Sequence, residues 1–349
     1  MVTTNGTTKS TFASPDKTGK LSRHDAAAYL DRISLSHSLL DQPPSLDLLR
    51  TLQSSHILAV PFESLSLHVK DWQDDEADIY LGGGEVVGLG EAAFNRIVHL
   101  RRGGFCFSIN SSFAALLRFW NFRVSECAAR VYSHQRKDPQ EAGWSWEPTS
   151  HQISIVDWEG SSARWFVDVG FGSAQCSYPI EFKDGASQTS IPAADYYELH
   201  RTDRLPGASP ALQPDLPPYW TVYRRNTASS GSTYLSPVYS FALASVPFVD
   251  FRVLNTFQFA SEHARFRTFL VATILRPDGE RRTLQYLDGM EDPQHEGRRA
   301  AKLYTTTAVV EGKREDEKDV EWVEMRVGAV REVLEREFGM RFPSSYSGN

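Results

Sequence analysis

The spacing of apolar residues changes near Asn121, and this change limits the chain to one class of fold. From Asp25 to Val60, and again from Cys106 to Asn121, apolar side chains recur mainly every three or four residues, the period of a helix that buries one face. Beyond Asn121 the apolar segments are short and are separated by turn residues, which is typical of strands. Helices and strands in separate stretches predict an α+β protein.

Two helical segments are predicted before this change. The first covers Asp25 to Val60 and is interrupted at Pro43-Pro44, because proline lacks the amide hydrogen that a helix interior needs. The second begins at Cys106. It carries one apolar stripe along its length, formed by Ile109, Phe113, Leu116, Leu117 and Trp120.

The strands form a central group and a late group. The central group comprises Cys127–Tyr132, His151–Trp158 and Arg164–Val169. The late group comprises residues 266–275, 283–287 and 303–310, with a turn at Pro277-Asp278-Gly279, and is followed by a helix over Val327–Phe338 that ends at Gly339. Segments 204–218 and 226–236 are rich in turn residues and are predicted to be surface loops, and the charged run 313–319 is predicted to be a solvated loop.

The composition argues against several classes of function. With 37 Lys and Arg against 44 Asp and Glu the net charge is -7, so no overall basic character attracts nucleic acid or an anionic membrane. No apolar run approaches the ~18 residues that span a bilayer. Three cysteines without metal-binding or disulfide spacing are typical of a reducing compartment, so we expect a cytoplasmic protein without a metal site. Residues 1–24 are predicted to be a disordered leader.

Cys106 is the first candidate for chemistry. It follows Gly103-Gly104 and Phe105 at the start of a predicted helix, where the helix dipole and the free N–H groups stabilise a thiolate. A cysteine between two phenylalanines also fits a second interpretation, that of a small buried apolar residue without a chemical role. Cys127 and Cys176 have no comparable setting and are interpreted as structural.

His151 and Asp168 fall on neighbouring predicted strands. Alternation places His151 on an apolar face, where it is either a core histidine bonded to backbone or a functional group. Asp168 lies in an apolar strand, and a buried carboxylate is costly unless it is paired. If the turn between these two strands is centred on Gly160 and Ser161, the numbers of any two residues that face each other sum to 321. His151 is then the diagonal neighbour of Asp168, with Cα atoms ~7–8 Å apart.

These three side chains form a candidate catalytic triad. In such a triad the cysteine is the nucleophile, the histidine exchanges protons, and the carboxylate orients the histidine. Hydrolysis and acyl transfer both use this set, so a papain-like thiol hydrolase is one interpretation. Another is a non-catalytic binding protein in which Cys106 is a packed thiol and Asp168 only satisfies His151. The rate of Cys106 alkylation as a function of pH distinguishes the last interpretation from the others.

Several motifs, in their order and spacing, resemble the arylamine N-acetyltransferase family. The main ones are Arg102-Gly103-Gly104-Phe105-Cys106, His151, and Val167-Asp168-Val169-Gly170-Phe171-Gly172. The resemblance extends from about residue 27 to 342, and together the motifs are specific where each alone would occur by chance. Further matches are Val60-Pro61-Phe62-Glu63-Ser64-Leu65, Ala129-Arg130-Val131-Tyr132, Tyr239-Ser240-Phe241, and Asp250-Phe251 followed by Asn255.

The resemblance implies three domains around a cysteine-protease-like core. These are a helical domain over 25–121 with Cys106, a β-barrel over 122–262 with His151 and Asp168, and an α/β lid over 263–349. It also implies two half-reactions, in which Cys106 takes an acetyl or related acyl group from coenzyme A and passes it to the nitrogen of an arylamine or arylhydrazine, as in xenobiotic metabolism.

The resemblance further implies binding residues. Phe62, Val131 and Phe171 match positions that line the acceptor pocket in the family. Thr149, Ser150 and Gly172 match positions near the cofactor.

The chain also departs from the family pattern. Ser108 stands where relatives commonly carry Glu or Gln, Ser64 where many carry Asn, and residues 143–148 differ from many relatives. These departures leave the choice among acetyl, propionyl and malonyl donors open. The natural acceptor and the oligomeric state are open as well.

Overall fold

Helices lead the chain and strands dominate after them, as the change of period predicts. The computed structural model describes residues 19–172, 175–191, 195–208, 217–227, 230–262, 264–306 and 317–342. The helices in these ranges are α1 Arg23–Arg32, α2 Leu46–Ala59, α3 Glu91–Phe94, α4 Cys106–Phe119, α5 Pro139–Ala142, α6 Phe248–Ala260 and α7 Val327–Phe338. None of them is long and apolar enough to cross a bilayer.

The strands form two antiparallel sheets. Those of the first are β2 Arg123–Tyr132, β3 Trp146–Asp157, β4 Trp165–Val167, β5 Ile180–Glu181, β6 Ala186–Thr189, β7 Tyr196–Thr202, β8 Tyr219–Thr227 and β9 Thr233–Ala242. Those of the second are β1 Phe62–Glu63, β10 Phe269–Leu275, β11 Arg281–Leu287, β12 Ala300–Thr306 and β13 Glu317–Glu324. The predicted α+β class is therefore confirmed.

The N-terminal helices pack around α4. The hydroxyl of Ser22 accepts a hydrogen bond from Asp25 N and caps α1, and Ser45 caps α2 in the same way. Leu30, Leu49 and Phe113 are almost completely buried in the shared core. Of the predicted leader, residues 1–18 lie outside the described part, whereas Leu21 is buried and α1 begins at Arg23. The folded part therefore starts before residue 25, because the Ser22 cap fixes the first turn of α1.

The eight-stranded sheet curls into a nearly closed barrel. Its strand order is β5-β4-β3-β2-β9-β8-β7-β6, and the two end strands lie next to each other. Ser154 faces Val167 and Ile155 faces Phe166, so the facing numbers sum to 321, as predicted. The barrel interior is apolar and is filled by residues that include Ile153, Phe166, Tyr197, Val222 and Phe241.

The five-stranded sheet, called here the lid sheet, has the order β1-β10-β11-β12-β13. One face packs on α7 through residues such as Leu270, Leu284 and Leu334. The predicted turn between β10 and β11 is confirmed, and α7 ends at Gly339 in the left-handed conformation, with φ 63°. Strand β1 contains Phe62 and pairs with β10, so it joins the helical region to this sheet.

Two predicted loops are corrected by the structure. Segment 226–236 contains the end of β8 and the start of β9, because these strands pair across a hairpin and their Ser and Thr side chains suit a partly exposed ladder. The run 313–319 enters β13 at Glu317, an edge strand whose charged side chains face solvent. Residues 209–216 of the other predicted loop lie outside the described part. The domain boundaries at 121 and 262 stay a prediction.

The turn before α4 is fixed by close backbone packing. Phe62 and Gly104 form a parallel bridge, and Glu63 N donates to Gly104 O over 2.8 Å. A Cβ at Gly103 would lie 1.8 Å from Pro61 O, far inside contact distance. The two glycines therefore allow β1 to lie directly against the segment that leads into Cys106.

We expect Gly103→Ala to lower the free energy of unfolding by about 2–3 kcal/mol, because the new methyl group collides with backbone that cannot rotate away. Gly88→Ala is the control, since its Cβ would meet only the Ala92 methyl at 3.4 Å. Urea unfolding of both variants measures the difference. Equal midpoints for the two variants would contradict the packing described for this turn.

Candidate active site

A cavity of about 460 Å³ lies where α4, the barrel and the lid sheet meet. Its walls contain Cys106 from α4, His151 from β3, and Gly170 from the segment after β4. The lid sheet contributes polar side chains from β10, β11 and β12, among them Thr273, Thr283 and Tyr304. The predicted nucleophile and the predicted proton carrier thus lie on the wall of one cavity.

Cys106 is the first residue of α4, as predicted. No side chain caps this helix N-terminus through a hydrogen bond. The Cys106 side chain is 4% exposed, and its Sγ lies 3.5 Å from Ser150 O on β3. The thiol is therefore both buried against the barrel and open to the cavity.

His151 and Asp168 are in direct contact. His151 Nε2 lies 2.8 Å from Asp168 Oδ2, and both side chains are almost completely buried. Strand β4 ends at Val167, so Asp168 follows it directly and the predicted register brings the two together. Cys106 is near enough to His151 to contribute to the raised pKa of the imidazole. Since Nε2 is occupied by Asp168, Nδ1 is the nitrogen left for the thiol.

Asp168 receives hydrogen bonds from three further groups. Tyr239 OH donates to Oδ2 over 2.7 Å, Asn110 Nδ2 donates to Oδ1 over 2.9 Å, and Gly170 N donates to Oδ1 over 2.8 Å. Asn110 also accepts from Val169 N, so it holds the segment that carries Asp168. With His151, four donors surround one buried carboxylate and fix its position.

The roles of Asn110 and Tyr239 were not predicted from the sequence. Asn110 lies four residues after Cys106 on α4, and this spacing puts both side chains on one face of the helix. The spacing in the sequence was therefore enough to suggest a role for Asn110 beside Cys106. Tyr239 lies on β9, 71 residues from Asp168, and only the barrel fold brings it near.

The interactions within the site favour the charged forms of His151 and Asp168, although both are buried. Burial opposes the charge on His151, but the charge and hydrogen bond of Asp168, together with Cys106, raise the pKa of the imidazole to about 9. Burial acts against ionisation of Asp168 too, yet His151 and the other donors hold the pKa of the carboxyl below its ordinary value. Burial and the Asp168 charge raise the pKa of Tyr239 well above its usual range, so the phenol stays a donor.

The other two cysteines lie away from this arrangement. Cys127 is in the barrel interior on β2, and Cys176 is buried near Gln53, which donates to its carbonyl. Burial raises the pKa of Cys127 to about 11 and that of Cys176 to about 12. Neither therefore matches the setting of a nucleophile at neutral pH.

Five of the six predicted binding residues line the cavity: Phe62, Val131, Phe171, Ser150 and Gly172. Thr149 is not among the lining residues; it faces Arg130 in the β2–β3 ladder. The binding roles stay predictions. Within the described ranges, no group of three or more His, Cys, Asp or Glu side chains is arranged to hold a metal ion.

The raised pKa of His151 predicts a pH dependence of stability. The folded-state pKa of about 9 exceeds the unfolded value near 6.5, so the contribution is complete below about pH 6.5 and is lost as pH rises through 9. We expect the stability of the protein relative to His151→Gln to fall by up to about 3 kcal/mol between pH 6.5 and 9.5. Urea unfolding of both proteins at the two pH values measures this. A constant difference would mean that the imidazole is neutral in the fold.

Comparisons with known proteins agree with this geometry. A family model described as N-acetyltransferase matches residues 45–343. An arylamine N-acetyltransferase from Mycobacterium bovis is 27% identical over 254 residues, covering 73% of this chain and 75% of the relative. An N-malonyltransferase from Fusarium pseudograminearum is 24% identical over 260 residues, covering 73% of this chain and 70% of the relative.

The fold is shared with solved structures as well. The arylamine N-acetyltransferase of Mycobacterium marinum in complex with CoA matches with a TM-score of 0.59 and 23% identity, over 90% of this chain and 92% of that one. The family match covers most of the chain and includes Cys106, His151 and Asp168. The chain therefore belongs to the arylamine N-acetyltransferase family.

Proposed function

We propose that this enzyme moves an acyl group from an acyl-CoA thioester to the nitrogen of an arylamine or arylhydrazine, and that Cys106 carries the group in between. The observation that supports this most is the position of Cys106 and His151 on the wall of one cavity, with His151 hydrogen-bonded to the buried Asp168. Family membership supplies the class of donor and acceptor.

In the first half-reaction Cys106 is the nucleophile. Because the pKa of His151 is raised, the proton of Sγ resides on His151 Nδ1, and the thiolate attacks the carbonyl carbon of the donor thioester. The tetrahedral intermediate then collapses, the bond to the coenzyme A sulfur breaks, and that sulfur leaves with the proton from His151. Asp168 keeps the imidazole in the required orientation and stabilises its positive charge.

In the second half-reaction the arylamine is the nucleophile. Its nitrogen attacks the Cys106 thioester while His151 takes a proton from it, and the carbon–sulfur bond breaks to release the amide. The proton stays on His151, so the thiolate and the imidazolium of the free enzyme are restored. Each proton and each leaving group is accounted for without a metal ion or an oxidant.

The donor is proposed to be coenzyme A on two grounds. The Mycobacterium marinum relative was solved with CoA bound. In this chain Arg136 and Arg265 line the cavity and are exposed at its rim, so they suit the phosphates of a long donor whose nucleotide stays outside. Whether the acyl group is acetyl or malonyl is a separate question, since relatives of both names match the chain.

We also propose that the enzyme acts in the cytoplasm on foreign aromatic amines. Its three cysteines are all unpaired, which suits a reducing compartment.

Mixing the enzyme with acetyl-CoA or malonyl-CoA and no amine is expected to release one equivalent of coenzyme A in a burst, because a double displacement stops at the thioester. Intact mass and peptide mapping should place the acyl group on the peptide with Cys106. Cys106→Ala should give no burst, whereas Cys127→Ala and Cys176→Ala, the matched controls, should give a full one. Rapid hydrolysis of the thioester by water would favour the thiol hydrolase instead.

Asp168→Asn is expected to lower kcat by about 10³-fold or more, because the amide cannot stabilise the imidazolium or fix its tautomer. Tyr239→Phe keeps the carboxylate and removes one of four donors, so a loss of about tenfold is expected. Steady-state kinetics with one arylamine at saturating donor compare the two. If Asp168→Asn keeps normal kinetics, Asp168 has no role in the reaction.

A further inference from the structure

The cavity face of the lid sheet carries a row of polar side chains. Thr273, Thr283 and Tyr304 face one another across β10, β11 and β12, and Phe62 continues the row on β1. All four line the cavity. Thr273, Thr283 and Tyr304 are called here the polar row. The opposite face of the same sheet is apolar and packs on α7, so the polar row is not a general property of the sheet.

The threonine hydroxyls of the polar row are bonded to each other. Thr273 Oγ1 and Thr283 Oγ1 lie 2.9 Å apart, and the residues are 7% and 8% exposed. This bond uses one of the two hydroxyl protons, which leaves the other proton and several lone pairs for a ligand. An apolar group placed on them would cover polar atoms without replacing their hydrogen bonds, at a cost in binding free energy.

The polar row begins close to the nucleophile. Phe62 bridges to Gly104, two residues before Cys106, and pairs with Thr273 on its other side. Neighbouring strands are ~4.8 Å apart, about the width of an aromatic ring. The Phe62 ring packs with Phe266 at 5.6 Å between centroids, so an aromatic surface borders the polar row at this point. A ring bound there with its amine at Cys106 presents its far side to the polar row.

The exposed and the buried parts of the cavity wall suit different substrates. Arg136, Glu147, Pro148 and Arg265 are exposed and mark the rim through which a nucleotide-bearing donor must extend. Thr273, Thr283 and Thr306 are buried parts of the wall. A buried part of the wall suits the smaller substrate, so we assign the polar row to the acceptor.

The charges near the polar row favour a neutral ligand group. Arg281 and Lys302 lie on the same face of the lid sheet. Arg281 is paired with Asp195 at 2.5 Å, a carboxylate that it shares with Arg224, and Lys302 is paired with Glu317. Neither Arg281 nor Lys302 lines the cavity. A carboxylate on the acceptor would therefore lose its water without gaining a cation of its own.

We infer that the polar row selects arylamines whose ring carries a neutral hydrogen-bonding group, such as a hydroxyl or carboxamide, over those with an alkyl group at the same position. This inference rests on the proposed function, because it concerns the second half-reaction at Cys106. It assigns Thr273 and Thr283 as specificity-determining residues.

The test uses the double variant Thr273→Val/Thr283→Val, which removes both hydroxyls at nearly constant volume. The probes are 3- and 4-aminophenol, each compared with the methylaniline that replaces hydroxyl by methyl at the same position. In the variant we expect the ratio of kcat/KM for aminophenol over methylaniline to fall about tenfold for at least one position. Thr51→Val, at a half-buried position of α2 that does not line the cavity, should leave the ratio unchanged.

Two further measurements distinguish a role in acceptor preference from a role in packing or in donor binding. Thr273→Ser/Thr283→Ser keeps the hydroxyls, so it should keep the preference; loss of the preference in both double variants would assign the effect to packing and overturn the inference. The burst of coenzyme A without amine reports the first half-reaction alone. A slower burst in the valine variant would mean that the polar row holds the donor instead. An unchanged ratio with a normal burst would also overturn the inference, whereas no burst in the native enzyme would refute the proposed function itself.

Discussion

The burial of one carboxylate, that of Asp168, organises the site. A carboxylate away from water is costly by many kcal/mol unless donors replace its hydration. Here the donors come from α4, β3, β9 and the backbone at Gly170. Each of these elements must reach its place for the carboxylate to be satisfied. The interactions that orient His151 are thus the same ones that join the helical region to the barrel.

A second buried ion pair fixes the position of the chain on the other side of Cys106. Glu63 on β1 pairs with Arg96 at 2.5 Å, and Arg96 also donates to Gly103 O over 3.1 Å. Arg102 lies over the rings of Trp72 and Phe342 and adds a contact from the segment after α7. Buried ion pairs contribute little net stability, but they enforce one geometry because breaking them is costly. Cys106 is therefore held from both sides, which limits the movement of its sulfur.

Local signals in the sequence predicted much of this arrangement. The start of α4 at Cys106, the register of the β3–β4 hairpin and the end of α7 at Gly339 each follow from residues close together in the chain. What was missed depends on distant contacts. A strand as short as β1 has no period to detect, and it exists because Phe62 pairs with Thr273, more than 200 residues away. The donor Tyr239 likewise owes its place to the nearly closed barrel. The strands within 226–236 form a local hairpin, but their Ser and Thr side chains resemble those of a loop.

The proposed acylation of Cys106 would change what His151 can do. In the free enzyme Cys106 contributes to the raised pKa of the imidazole, though less than Asp168 does. A thioester on Cys106 carries no negative charge and no proton, so this contribution disappears. The pKa of His151 then falls while Asp168 still holds the ring in place. A lower pKa favours the neutral imidazole, which is the form that acts as a general base. In the proposed mechanism the first half-reaction thus favours the base that the second one needs, and the incoming arylamine, which is uncharged at neutral pH, can give up its proton to it as the amide forms.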